Sequence, residues 1–466
     1  MTGITPASSE FSAGRRRLII FAMTGSLSMI MIDMTLLAVA LPEIGKELAM
    51  SETALQWVLN AYVLALAATA ALGGRIGDLL GKPQMFVVGT IVFALASLAC
   101  GLAMSEGFLI AARIIQGLAA ALMQPASSAI VISTAPPGAR GKTMALYLGI
   151  PLLFLTIGPV IGGLITEYVG WRWNFFINLP VALIAVVLAL FARLPSLRRE
   201  RMKLDPLAVV LLLVSLPAVV SGIQQAPEWG FLDIRTMSLC VGGLVGLTLF
   251  IWRQRCTKNP VLHLDLFKDR GFLASGLLLL IVQFSLTGSL IHLSIYAQNE
   301  LGFDPLQAGL AILPLMIPVL FLIHLAGRAY DRFGVRLPAI LGAAGSSVGL
   351  AVMGIGMMMS SYIVIAVGMV VLGASCTFVT MPANTDGMAR IGDAQRAEAS
   401  GLLQTARQVG STLGIAVFFA VGSLIANPGA ALLVGAGVTA LGILIAACWA
   451  SSREVSREVP SGATGR

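Results

Sequence analysis

Long apolar segments recur along this chain, and short polar segments separate them. Fourteen of the apolar segments are long enough to cross the roughly 30 Å hydrocarbon layer of a bilayer as α-helices. They lack the strict alternation of apolar and polar positions that a membrane β-barrel requires. We therefore predict an all-α membrane protein with 14 transmembrane helices, which begin near Leu18, Ala54, Gln84, Gly107, Thr143, Asn174, Pro206, Thr236, Phe272, Leu306, Leu337, Tyr362, Gly401 and Gly429.

The composition supports this prediction and excludes several functional classes. The chain is 57% hydrophobic and 11% charged, whereas about a quarter of the residues are charged in a typical soluble protein. The five cysteines are scattered without a CxxC pair, so we expect neither a disulfide framework nor a metal site. There is no phosphate-binding loop of the GxxxxGK[ST] type and no nucleophile–base set. We therefore expect no enzyme activity, no metal, no cofactor and no ATP-driven step.

The net charge of +8 follows the expected membrane topology. With the N-terminus placed in the cytoplasm, almost all Lys and Arg residues fall on the cytoplasmic side, as the positive-inside rule requires. We therefore expect both termini to lie in the cytoplasm, the protein to lie in the cell membrane, and no nucleic acid to be bound. The exceptions are Lys46, Arg172 and Arg235 in outer loops, and Arg113 and Arg407 within spans.

The loop after span two and the loop after span ten share a pattern. Residues 74–82 read GRIGDLLGK and residues 327–335 read GRAYDRFGV, so Gly-Arg, Asp and Gly recur in one register. Duplicated halves are typical of secondary transporters. The copies are eight spans apart, so we predict six-helix bundles at 18–193 and 272–450. Between them lies a linker, 194–271, with two inserted helices; tails occupy 1–17 and 451–466.

Asp33 is the only carboxylate that we place inside a span. A charge at that depth is costly, so such residues tend to be partnered and linked to ion or substrate movement. A buried carboxylate can also reduce this cost by taking up a proton. Arg113 in span four is expected at a similar depth, roughly 9–12 Å below the outer surface. A proton-binding site and a static ion pair are both compatible with this pattern.

These segments resemble motifs of the major facilitator superfamily, specifically its fourteen-helix drug:proton antiporter branch (the EmrB/QacA type). The loop 74–82 resembles the superfamily's signature between helices two and three, although Leu79 replaces a usual basic residue. Residues 32–42 resemble the first-helix motif of the branch and 113–117 its fourth-helix motif. Residues 158–163 resemble the fifth-helix antiporter motif, and 259–267 resemble the link into helix nine.

The resemblance implies the major facilitator fold, with two six-helix bundles and two inserted helices, and roles for three groups of residues. Asp33, with Arg113, would couple proton entry to export. The paired loops would hold the cytoplasmic face closed in the outward-open state; their residues are Gly74, Arg75, Asp78, Gly81, Lys82, Gly327, Arg328, Asp331, Arg332 and Gly334. The antiporter motif comprises Gly158, Pro159, Gly162 and Gly163, whose glycines by themselves indicate only close helix packing.

Several polar or methionine side chains within spans are candidates for lining a substrate cavity, although each is equally compatible with contact between helices. For Arg407, a functional role within the span and snorkelling of its side chain to the membrane surface are equally compatible with the sequence. The candidate lining residues are Met29, Met34, Gln56, Asn60, Gln116, Gln283 and Gln404.

We predict a proton-coupled multidrug or antibiotic efflux transporter that works by alternating access and is driven by the proton gradient. Its partners would be protons, the lipid bilayer and a small lipophilic or cationic drug-like substrate, and we expect a monomer. A dication is not expected, since only one buried acid is present. The alternatives are an exporter of an endogenous metabolite and a non-transporting membrane sensor with the same fold.

Overall fold

The computed structural model describes residues 12–135, 140–194, 205–257, 266, 268–391, 396–425 and 427–448. Fourteen segments within these ranges are long and apolar enough to cross a membrane, which confirms the predicted all-α membrane fold. Residues 1–11 of the predicted N-terminal tail, the whole predicted C-terminal tail, and all of the segment 259–267 except Leu266 lie outside the described residues.

Sixteen helices form these spans, because the sixth and tenth spans are each divided in two. They are α1 (Ala13–Leu48), α2 (Glu52–Leu80), α3 (Lys82–Gly101), α4 (Glu106–Thr134), α5 (Arg140–Tyr168), α6 (Trp173–Phe176), α7 (Asn178–Phe191), α8 (Pro206–Trp229), α9 (Ile234–Cys256), α10 (Arg270–Asn299), α11 (Pro305–Ala311), α12 (Leu313–Phe333), α13 (Arg336–Met358), α14 (Tyr362–Ala389), α15 (Arg396–Ile425) and α16 (Pro428–Cys448).

The first helix is longer than predicted. It begins after Ser12, whose hydroxyl accepts a hydrogen bond from the backbone N–H of Arg15 at 3.3 Å. It continues past Leu41 and through Pro42 to end at Leu48. Asp33 therefore lies about 22 Å along the axis from the end of α1, because this helix extends beyond the predicted span.

The break in the sixth span has a local cause. Pro180 lacks the N–H that would bond the carbonyl of Phe176 in a continuous helix. The neighbouring carbonyl of Phe175 instead accepts a hydrogen bond from the Ser97 hydroxyl at 2.9 Å. The break places Asn178 at the first position of α7, inside the protein rather than at its surface.

The helices pack as two bundles with an inserted pair beside them. In the first bundle α1 packs against α5 and α7, and α4 packs against α2 and α3. In the second bundle α10 packs against α14, α15 and α16, and α13 packs against α14 and α16. The inserted helices α8 and α9 pack against each other, and α8 also contacts α2 and α15, where the two bundles meet.

The bundles contact each other at the end where α1 finishes. We name that end the outer side, and the end where α1 begins the inner side. Ser294 Oγ of α10 donates to the carbonyl of Ala38 at 2.8 Å, and Gln298 Nε2 donates to the carbonyl of Val39 at 2.8 Å. A Cβ atom on Gly163 of α5 would lie 2.8 Å from Leu306 Cα of α11, so these backbones touch. These contacts close the protein on its outer side.

Asp205 holds the inserted helix pair together at the inner side. Its carboxylate caps α8 by accepting from the N–H groups of Leu207 and Ala208. It also accepts from Arg253 Nε of α9 at 2.8 Å and from the Thr257 hydroxyl at 2.9 Å. The Arg253 bond is the largest cause that holds the pKa of Asp205 below its ordinary value, against burial, which raises it.

We expect Asp205→Ala to lower the free energy of unfolding by about 1–2 kcal/mol, because it removes both a helix cap and an ion pair. The matched control is Asp233→Ala, which removes only the cap of α9 and should cost about 1 kcal/mol. Thermal unfolding in detergent at neutral pH measures both, and equal losses would contradict the ion-pair contribution.

The ion pair of Asp205 with Arg253 also makes the stability of the fold depend on pH. Because the pKa of Asp205 is lower in the folded than in the unfolded chain, the ionised carboxylate stabilises the fold. This stabilisation is complete above the ordinary pKa and is lost as the pH falls through the lowered folded value. The difference between the wild type and Asp205→Ala should therefore shrink below about pH 4.

Candidate functional site

A buried ion pair joins α1 to α4. Arg113 Nη1 donates to Asp33 Oδ2 at 2.6 Å, and the two side chains are 0% and 2% exposed. Equal depth on adjacent helices brings the two residues together, as their positions in the sequence suggest. In this conformation the pair is closed off from solvent.

Two further donors converge on Asp33. Gln116 Nε2 and Asn178 Nδ2 each donate to Asp33 Oδ1 at 3.1 Å. The amide oxygen of Gln116 in turn accepts from Arg113 Nη1 at 2.6 Å. An ionised carboxylate only accepts hydrogen bonds, whereas a protonated one must also donate. We name Asp33, Arg113, Gln116 and Asn178 the acid cluster. Asp33 accepts the three bonds that reach it from the cluster, as suits a carboxylate, and a proton on Asp33 would remove the charge that strengthens the bond from Arg113.

Arg113 is also held from the side opposite Asp33. Its Nε donates to the carbonyl of Val58 at 2.9 Å, and its guanidinium carbon lies 4.3 Å from the centre of the Tyr62 ring. Both partners belong to α2. The guanidinium thus keeps contacts with α2 that do not depend on the charge of Asp33, so a change at the acid need not displace the arginine from its position.

Three residues of the acid cluster and its surroundings are not predicted from the sequence: Tyr62, Ser97 and Asn178. Asn178 Nδ2 reaches Asp33 and also Ser97 Oγ, at 3.0 Å. The available signal is an asparagine at the start of an apolar segment, two positions before Pro180. Gln116 is predicted for the substrate cavity, but the structure places it beside Asp33 instead.

Other candidate lining residues are also enclosed by protein in this conformation. Met29, Gln56 and Asn60 are 1%, 3% and 0% exposed. Asn60 Nδ2 donates to Gln224 Oε1 of α8 at 2.6 Å. Asn60 therefore attaches an inserted helix to the first bundle and does not line open space here.

The remaining candidate lining residues, Met34, Gln283 and Gln404, are half-buried. Gln283 Nε2 donates to Thr287 Oγ1 at 2.9 Å, and Thr287 Oγ1 lies 3.0 Å from Ser411 Oγ of α15. These contacts form a polar stripe across α10 and α15 in the second bundle. Of the predicted cavity residues, Gln283 belongs to this stripe, and Gln404 is seven residues before Ser411 on the same face of α15.

The predicted paired loops are largely helical, since residues 74–80 end α2 and residues 327–333 end α12. Both segments contact their own bundles. In the first loop Asp78 forms an ion pair with Lys82 at 2.7 Å, and Arg75 is half-buried. A Cβ atom on Gly74 would lie 3.9 Å from Pro125 Cβ, within the first bundle. Gly81 has a φ of 106°, which favours glycine.

In the second loop Arg328, Asp331 and Arg332 are exposed, and the Arg332 guanidinium lies over the Phe333 ring. A Cβ atom on Gly327 would lie 3.9 Å from Met381 Cε, within the second bundle, and Gly334 has a φ of 70°. None of these described contacts joins one loop to the other bundle while the outer side is closed.

The glycines of the antiporter motif pack in two different directions. A Cβ atom on Gly158 would lie 3.0 Å from Thr35 Cβ, and one on Gly162 would lie 2.7 Å from Leu36 Cα, so both face α1. Gly163 faces α11 of the other bundle, and the Pro159 carbonyl lies against Gly309 of α11. The motif therefore joins α1 and the contact between the bundles through one helix.

The described residues contain no group of three or more His, Cys, Asp or Glu side chains that could hold a metal ion.

Comparison with known proteins adds a family assignment. The family model described as "Major Facilitator Superfamily" matches residues 23–415. The "Tetracenomycin C resistance and export protein" of Streptomyces glaucescens is 33% identical over 425 residues, which cover 89% of this chain and 77% of that protein. The "Multidrug resistance protein Stp" of Mycobacterium tuberculosis is 32% identical over 86% of this chain and 75% of its own length.

Two further matches are another relative and a solved structure. The "Puromycin resistance protein pur8" of Streptomyces alboniger is 32% identical over 84% of this chain and 78% of its own length. Among solved structures, the POT family transporter PepTSo matches with a TM-score of 0.69 at 15% identity. That match covers 96% of this chain and 99% of the other, and it shows a shared fold only.

Proposed function

We propose that this chain, which belongs to the Major Facilitator Superfamily, exports drug-like molecules in exchange for protons. The relatives named for antibiotic resistance, multidrug resistance and export support the drug-exporting part. The acid cluster around Asp33 supports the proton-coupled part. A buried acid whose hydrogen bonds depend on its charge is the observation that carries the proposal.

The position of Asp33 links its protonation to the contact between the bundles. Asp33 binds α4 and α7 through Arg113 and Asn178. One turn further along α1, Leu36 packs against α5, and the Ala38 carbonyl beyond it accepts a bond from α10. A proton on Asp33 weakens the attachment of α1 to its own bundle. The segment of α1 beyond Asp33 is thereby released, and this same segment contacts α10 at the outer side.

The exchange cycle follows from this arrangement. With the outer side closed, Asp33 is ionised and paired, and a substrate enters from the inner side. Opening of the outer side releases the substrate and admits a proton to Asp33. The protonated acid cluster rearranges, the outer side closes again, and release of the proton towards the inner side restores the ion pair. The two solutes therefore move in opposite directions.

Purified protein in liposomes with an acidic interior tests this function. At least one member of a panel of radiolabelled antibiotics, including puromycin and tetracenomycin C, should accumulate at least about tenfold above protein-free liposomes. An ionophore that collapses the pH gradient should abolish this accumulation. Accumulation that ignores the ionophore would contradict proton coupling. Absence of transport for the whole panel would favour the export of an endogenous metabolite.

A further inference from the structure

Arg407 is a second arginine within a span, and it has no counter-ion among the described residues. It lies on α15 about 17 Å along the axis from Arg396, the first residue of the helix. None of the ion pairs or hydrogen bonds of the described residues involves Arg407, and its Nε is buried without an acceptor. By contrast, Arg113 is paired with Asp33. A charge at such depth is costly unless it is compensated.

Snorkelling does not account for Arg407. An arginine that snorkels extends its head into the water at the membrane surface, and its N–H groups are then hydrated. Here the side chain as a whole is half-buried, while the Nε atom is enclosed. The Nε side of the guanidinium is therefore enclosed by protein rather than hydrated.

The side chain of Arg407 belongs to the polar stripe between the bundles. On α10, Ser294 and Gln298 contact α1 at the outer side. Residues 283 and 287 lie on the same face of α10, because the spacings of four, seven and four residues return to one face of a helix. This face therefore points towards the first bundle along its length, and Gln283 lies on the inner side of the contact with α1.

The helix α15 continues this stripe. Ser411 lies 3.0 Å from Thr287 on that face. Arg407 is one turn before Ser411, and Gln404 is one turn before Arg407, so all three share a face of α15. Arg407 and Gln404 are both half-buried. They line the wall that faces the first bundle, on the inner side of the outer contact.

The charge of this wall is positive. In the first bundle Asp33 and Arg113 compensate each other. In the second bundle Asp386 of α14 pairs with Arg390 at 2.6 Å. Among the residues that the structure describes, no carboxylate pairs with Arg407 to offset its charge.

We propose that Arg407 binds an anionic group of the exported molecule, a carboxylate or an ionised phenol, with the amides of Gln404 and Gln283 as neutral hydrogen-bonding partners. This proposal rests on the proposed export function. The planar guanidinium fork suits an oxyanion and repels a cation. Acidic and zwitterionic molecules are then preferred over cationic ones, which the sequence alone does not disfavour.

Two probe ions of matched shape and opposite charge test this assignment. The wild type in lipid nanodiscs should bind tetraphenylborate saturably, after subtraction of binding to empty nanodiscs, and at least about tenfold more tightly than tetraphenylphosphonium. Arg407→Gln should lose that preference, and Arg407→Lys, which keeps the charge, should retain part of it. The control Arg255→Gln removes an exposed positive charge at the end of α9 and should leave the preference unchanged.

Three results would overturn the proposal: no saturable binding of tetraphenylborate above empty nanodiscs, a preference for the cation, or an unchanged preference in Arg407→Gln. Thermal unfolding of each variant verifies that it is folded, and Arg407→Lys provides the test if Arg407→Gln is not. If the anion preference depends on Arg407 but transport ignores the pH gradient, the anion site stands and proton coupling fails. If transport depends on the pH gradient but no anion preference is found, proton coupling stands and the anion site fails.

Discussion

Replacement of Asp33 by asparagine should reduce gradient-driven export by at least about 100-fold, because the variant cannot take up a proton at this position. A loss of that size corresponds to about 2.7 kcal/mol of coupling. The asparagine amide has nearly the same shape as the carboxylate and can still contact Gln116 and Asn178, so the substitution removes the charge with little change in packing. Accumulation of puromycin, or of another antibiotic that the wild type exports, in liposomes with an acidic interior measures the effect.

The fold of this variant needs its own control, since Arg113 would remain fully buried and charged without its partner. Removal of one member of a buried ion pair typically costs about 3–5 kcal/mol. The double variant Asp33→Asn/Arg113→Gln removes both charges and should recover thermal stability. It should still exchange drug for drug across the membrane without a gradient, but it should not accumulate drug against a gradient.

A matched control lies on the same helix. Glu43→Gln removes an acid of α1 whose only described ion pair is the exposed one with Lys46, and it should leave gradient-driven export unchanged. If Asp33→Asn accumulates drug as well as Glu43→Gln does, and collapses with the gradient in the same way, proton coupling at Asp33 is wrong.

Valine in place of Gly163 should hold the protein open on its outer side and reduce export at least about tenfold. A Cβ atom at this position would lie 2.8 Å from Leu306 Cα, and such an overlap requires backbone to move. The overlap is between the bundles, so it arises only when α5 and α11 come together. The substitution therefore disfavours one conformation rather than the fold, and a bias of a few kcal/mol shifts nearly the whole population.

The distance between spin labels at Ser51→Cys and Glu300→Cys, on the outer ends of α2 and α10, measures this shift. Both positions are exposed, and the exposed Cys256 and Cys448 are replaced by serine in the background. Gly163→Val should enrich the longer distances relative to the parent.

The control is Gly149→Val, on the same helix, where a Cβ atom meets nothing within 4 Å. It should leave both the distances and the export as they are. An unchanged distance distribution in Gly163→Val would show that the contact between α5 and α11 does not govern opening.

Much of the fold follows from the sequence, and less of the site does. The pairing of Asp33 with Arg113 is anticipated because both are charges in otherwise apolar segments at similar depth. The positions of Gln116 and Asn178 beside Asp33 are not anticipated, because an amide in a span is equally compatible with a cavity and with contact between helices. Asn60 shows the same ambiguity, since its partner Gln224 belongs to an inserted helix that the loop repeat does not place.

The sequence by itself determined which segments are long and apolar enough to cross the membrane, because the hydrocarbon layer demands such helices whatever their arrangement. It also predicted a repeated half. Only the tertiary structure decided which face of each helix meets which neighbour. It separated Gly162, packed within a bundle, from Gly163, packed between bundles, although the two are adjacent in the chain. It also supplied a counter-ion to Arg113, whereas no counter-ion for Arg407 lies among the residues that the structure describes. Apolar length is a property of one segment, whereas packing and charge compensation depend on pairs of segments brought together by the fold.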